Sequence, residues 1–111
     1  MSTTLMTLLM KALVLAACHF LGDYAFQFDW MANMKGKSFH ALYAHAGTYT
    51  CFFAILLLIP QLSMSPWAVV LIFASHMMID PLKARWGKIS LGMDQTLHYL
   101  VLGFILLNGW I

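Results

Sequence analysis

Four long apolar runs leave this chain little means of folding in water. They extend from about Leu5 to Phe28, Phe39 to Ile59, Pro66 to Asp80 and Leu91 to Trp110. A helix of about 20 mainly apolar residues matches the hydrocarbon thickness of a bilayer. The connections are short and carry five of the six basic residues: Asn33-Met34-Lys35-Gly36-Lys37-Ser38, then Gln61-Leu62-Ser63-Met64-Ser65, then Leu82 to Lys88. Pro66 suits the first turn of a helix, and Pro81 marks the expected end of the third run. Only 9% of the 111 residues are charged and 62% are apolar, whereas soluble domains carry roughly 25% charged residues. The expected fold class is all-α, an integral membrane four-helix bundle in which residues 1–111 form a single transmembrane domain.

Orientation follows from the basic residues. Lys35 and Lys37 lie in the first connection, Lys83, Arg85 and Lys88 in the third, and the second is uncharged. The positive-inside rule places the first and third in the cytoplasm and both termini on the non-cytoplasmic side. Lys11 is the exception and is expected to snorkel outward. Trp30 and Trp86 fall at the inner boundary, Trp67 and Trp110 at the outer one, where such rings are favoured. The net charge of +2 is spread over scattered residues, which excludes a nucleic-acid-binding stripe. Cys18 and Cys51 lie inside apolar runs and suggest small buried hydrophobes, not a disulfide framework or a zinc knuckle. Leu15-Ala16-Ala17-Cys18 has the look of a lipoprotein box, but Lys11 leaves too short an apolar core before it,.

The polar residues inside the runs are spaced as if for one site. His19, Asp23 and Gln27 follow one another at four-residue intervals, as do His76 and Asp80, and Asp94 and His98. Residues four apart share a helix face. Of His40 and His45, spaced too awkwardly to share a face, the deeper His45 is preferred. An up-and-down topology brings all of these to the cytoplasmic end. An aspartate at mid-membrane costs roughly 2.5–3.5 kcal/mol, while a hydrogen bond between membrane helices returns only about 0.6–2 kcal/mol. Structural His–Asp pairing alone is therefore a poor account of three aspartates. Imidazole with carboxylate suits a divalent metal, with zinc preferred and iron or manganese as alternatives. The candidate ligands are His19, Asp23, His45, His76, Asp80, Asp94 and His98, enough for one or two ions. Any of them not bound to metal would orient those that are.

The ordered set His19-x-x-x-Asp23-x-x-x-Gln27-x-Asp29-Trp30-Met31-Ala32, Lys35, His40, His45, His76-x-x-x-Asp80 and Asp94-Gln95-x-x-His98 resembles a domain-of-unknown-function family. Its members are small inner-membrane proteins of bacteria and prophages. The resemblance implies a multi-pass protein of the bacterial inner membrane and brings no activity. Ser38-Phe39-His40 and His76-Met77-Met78-Ile79-Asp80 are also similar to motifs of membrane-bound metal-dependent hydrolases, although Lys35-Gly36-Lys37 stands where those carry an Arg-Gly-rich stretch.

The function expected first is a membrane-embedded, metal-dependent hydrolase acting on a lipid or lipid phosphate at the cytoplasmic face. One of Asp23, Asp80 and Asp94 would be the general base, since the chain has no glutamate. Gln27, Lys83 and Arg85 would meet the substrate, with membrane lipid as the partner. A proton or divalent-metal transporter or channel is the alternative, because intramembrane Asp/His chains also mark ion paths. A haem-binding electron-transfer protein is a third, using histidines as axial ligands. A homo-oligomer is left open, for Ala12-x-x-x-Ala16 is too common a pattern to count.

Overall fold

The computed structural model describes residues 2–111, all helix and connecting turns with no strand among them. The helices are α1 (Thr3–Phe20), continued by a π-helical turn over Leu21–Ala25, the short α2 (Asp29–Met34), α3 (Phe39–Ile55), α4 (Pro66–Ala84) and α5 (Leu91–Leu107). Single 3-10 turns at Leu56–Leu58 and Pro60–Leu62 lead from α3 toward α4. Serine caps four of the five: the hydroxyls of Ser2, Ser38, Ser65 and Ser90 accept first-turn amides of α1, α3, α4 and α5. Each satisfies a backbone donor that no helical carbonyl can reach.

Among the described residues, three segments are long and apolar enough to cross a membrane: Thr3–Ala25, Phe39–Leu58 and Pro66–Ala84. The fourth apolar helix, α5, has 17 residues. The molecule is 46 Å long and 26 by 22 Å across, close to the roughly 40–45 Å of a bilayer with its headgroups. The four longer helices are in mutual contact, α3 against α1 and α4, and α5 against α4 and α1. At one end Ser65 N–H donates to Trp110 C=O at 2.8 Å, tying the α3–α4 connection to the C-terminal segment. That half is filled by Leu15, Phe53, Leu56, Ile72, Leu102 and Ile105, all buried. At the opposite end lie α2 and the 85–90 turn, and there the polar residues are buried.

Several boundaries differ from the sequence reading. The first helix ends at Ala25, not Phe28, because the π turn closes it: Phe26 N–H bonds Leu21 C=O and Gln27 N–H bonds Tyr24 C=O. Part of what reads as connection is helix α2, with Asp29 in its first turn, where a negative charge favours the positive end of the helix dipole. Pro81 does not stop α4. It lies in the last turn, so the missing amide costs a single hydrogen bond, and Arg85 N–H still reaches Pro81 C=O at 2.9 Å,. Of the cysteines, Cys18 is buried and Cys51 is exposed on the outer face of α3.

Candidate metal centre

The π turn carries Asp23. Such turns insert one residue into a helix and occur disproportionately at functional sites. Here it depends on Gly22, where a Cβ would stand 2.8 Å from Tyr49 Cα. The absent side chain lets α1 and α3 approach until His19 and Asp23 meet Tyr49 and His45. A second close approach is made by Gly36, whose Cβ would collide with the Ala84 carbonyl. That contact folds the first connection over the end of α4.

Eight polar residues are buried at this end: His19, Asp23, Lys35, His45, His76, Asp80, Asp94 and His98. His45 Nε2 lies 3.2 Å from Asp23 Oδ1 and 4.0 Å from Asp80 Oδ1, and His76 Nε2 lies 4.0 Å from Asp23 Oδ1. His98 Nε2 lies 3.6 Å from Asp94 Oδ1. The His76 ring is stacked between Tyr49, with centroids 4.2 Å apart, and His98, at 4.6 Å. Among the described residues, two sets of side chains offer ligand atoms within 4.8 Å of one another: Asp23, His45, His76 and Asp80, and Asp23, Asp94 and His98. Ligands about 2.0–2.2 Å from a tetrahedral zinc stand about 3.5 Å apart, so small rotamer changes would close either set around an ion. Asp23 belongs to both.

The buried side-chain atoms that lack a hydrogen-bond partner, among the described residues, all lie in this cluster: His45 Nδ1, both His76 nitrogens, Asp80 Oδ2, Asp94 Oδ1 and His98 Nε2. Leaving one such atom unsatisfied costs about 1–3 kcal/mol. Six together describe a set of donors shaped for something else to complete.

His19 is placed differently. Its Nδ1 is 2.8 Å from the Tyr49 hydroxyl and its Nε2 is 2.8 Å from Gln95 Oε1, so both ring nitrogens are already engaged and it belongs to neither ligand set. Gln95 in turn donates to Asp23 Oδ2 at 2.9 Å and Asp94 Oδ2 at 3.0 Å. Gln27 accepts from Lys35 Nζ at 2.7 Å, and the same ammonium is 3.1 Å from Asp80 Oδ1. Lys83 reaches Asp94 Oδ2 at 3.4 Å. Three carboxylates thus face two ammonium groups, leaving one net negative charge for a cation. Arg85 is exposed outside the cluster, and His40 is exposed beside Trp30 with ring centroids 5.7 Å apart.

Three members of the cluster escape a reading of the sequence. Lys35 reads there as a topological signal, Tyr49 only as one of the few polar side chains of the opposite half, and Gln95 has no task. Tyr49 follows His45 by four residues and so carries the same spacing signal as the His/Asp pairs. Lys35 and Gln95 carry no such signal.

A family model described as a protein of unknown function, DUF3307, matches residues 8–110. No curated protein and no solved structure matches the chain.

Proposed function

The chain belongs to the DUF3307 family, and from its site we propose a membrane-embedded centre for two divalent metal ions that hydrolyses a lipid phosphate at the cytoplasmic headgroup level. The observation that carries the metal reading is the pair of ligand sets sharing Asp23. A carboxylate has two oxygens, and one that serves two ions holds them as a bridged pair. Inward-facing carboxylates and histidines on packed helices are an established way to build such a pair. In this reading the four longer helices form a membrane bundle with both termini outside, in the bacterial inner membrane, and zinc is the preferred metal.

Bound divalent ions would lower the pKa of a coordinated water toward 7 and polarise a phosphoryl oxygen. The rest falls to the chain. His45, His76 and Asp80 complete one set and Asp94 and His98 the other. Asp94 has one oxygen held by Lys83 and Gln95 and the other unbonded, so Oδ1 is the atom it would offer to an ion beside His98. Lys83 is half-buried and Arg85 exposed at the same end, suited to the negative charge of a phosphate headgroup. Gln27 supports Lys35 instead of meeting substrate. Transport is the weaker reading, because the opposite half of the helix interior is packed with apolar side chains.

The test is elemental analysis of detergent-purified protein, expected to give two zinc, iron or manganese ions per chain. Asp23→Asn should lose both, and His98→Ala one. Wild-type protein that holds no stoichiometric metal after reconstitution sinks the reading.

A further inference from the structure

We propose that Gln95 is a positioning residue for this centre, its amide orientation set by the two carboxylates it bonds and its carbonyl end anchored by His19 and Tyr49; the role rests on the metal reading above, while the hydrogen-bond arrangement stands apart from it.

The direction of each bond follows from chemistry. Asp23 Oδ2 and Asp94 Oδ2 are carboxylate oxygens and accept hydrogen bonds. The Gln95 atom 2.9 and 3.0 Å from them is therefore the amide nitrogen, which has two hydrogens to give. Gln95 Oε1 then points at His19 Nε2, 2.8 Å away, and a carbonyl oxygen there requires a ring N–H. In neutral His19 that leaves Nδ1 as an acceptor, and the Tyr49 hydroxyl, also 2.8 Å away, supplies its proton. A one-directional chain results, from the Tyr49 hydroxyl through the His19 ring and the Gln95 amide to the two carboxylates. With the amide reversed, its oxygen would face two carboxylate oxygens, and His19 would have to take the opposite tautomer to accept from the amide nitrogen.

The effect on the carboxylates is specific. Gln95 donates to the Oδ2 atom of each, which keeps a second lone pair,. Asp23 Oδ1 is then the atom presented to His45 and His76, and Asp94 Oδ1, which has no partner, is turned to His98. One amide thus sets the rotation of the bridging carboxylate and of its neighbour on α5. Tyr99 packs its ring 4.6 Å from that of His19. The same arrangement explains why a histidine with the right spacing lies outside both ligand sets.

Two measurements test this. Nitrogen-15 NMR of histidine-labelled protein in detergent micelles reads the His19 tautomer directly. The Nε2–H form is expected in wild type and should give way to a mixture in Gln95→Leu. An Nδ1–H form in wild type overturns the proposal, whether or not the protein binds metal. The second measurement is affinity for Zn²⁺ and the absorption spectrum with Co²⁺. His19→Leu and Gln95→Leu should weaken Zn²⁺ binding about tenfold or more, the usual cost of losing a residue that orients a ligand, and shift the Co²⁺ bands. His19→Gln can still donate to Gln95 Oε1 and should stay within about threefold of wild type. Loss of one whole ion from His19→Gln would make His19 a ligand and overturn the proposal. Wild type without metal, but with the Nε2–H tautomer, would remove the metal centre and keep the hydrogen-bond chain.

Discussion

Removing the ammonium of Lys35 would leave the Asp80 carboxylate, 3.1 Å away and fully buried, with no compensating charge. Breaking a buried pair from one side costs about 3–5 kcal/mol. Lys35→Met should therefore lower the stability of chelator-treated protein by about 3 kcal/mol, measured by unfolding in detergent. Saturating Zn²⁺ should recover most of the loss, because an ion on Asp80 supplies the missing charge. A deficit that Zn²⁺ leaves unchanged would count against Asp80 as a ligand. The histidines and aspartates of this site are legible in the amino-acid sequence, since four-residue spacing on an apolar helix is both costly and directional. Lys35 is not. Its burial depends on Gly36 lying against the Ala84 carbonyl, a meeting of two distant segments that spacing cannot express. Gln95 is hidden for a related reason: it follows Asp94 directly in sequence, and only the arrival of α1 gives its amide both a histidine and a carboxylate to bond.

Among the elements, α1 with its π turn depends most on one residue. Gly22→Ala puts a methyl 2.8 Å from the Tyr49 backbone, so α1 and α3 must separate. Overpacking of this kind costs typically 1–3 kcal/mol, and it should weaken metal binding as well, because His19 and Asp23 move with α1. Gly47→Ala is the matched control. Its methyl meets nothing within 4 Å and it lies inside α3, so the change should stabilise by about 0.5–1 kcal/mol through helix preference. Unfolding of both variants in the same detergent checks the pair, and equal effects would refute the role given to Gly22. The apolar runs themselves are plain in the sequence. Their ends are less so, because a π turn has no composition of its own and a proline in a last turn costs too little to end a helix.

On the scale of the whole molecule, the charged connections belong at one end and the Ser65–Trp110 bond at the other. With exposed Cys51 first replaced by Ser, Ser63→Cys should react with an impermeant maleimide in intact cells, and Lys88→Cys only after permeabilisation; the reverse pattern would invert the topology. Proteoliposomes should hold a proton gradient as well as protein-free vesicles do, and rapid collapse would revive the conduction reading. The feature behind that expectation is the apolar half built from Leu15, Phe53, Leu56, Ile72, Leu102 and Ile105. It closes the interior at that end, so the buried polar cluster has no polar continuation to the other. In the proposed hydrolase, a reactant would have to enter and its product depart through the same leaflet, so the chain would alter the chemistry of one face of the membrane while the other face went unread.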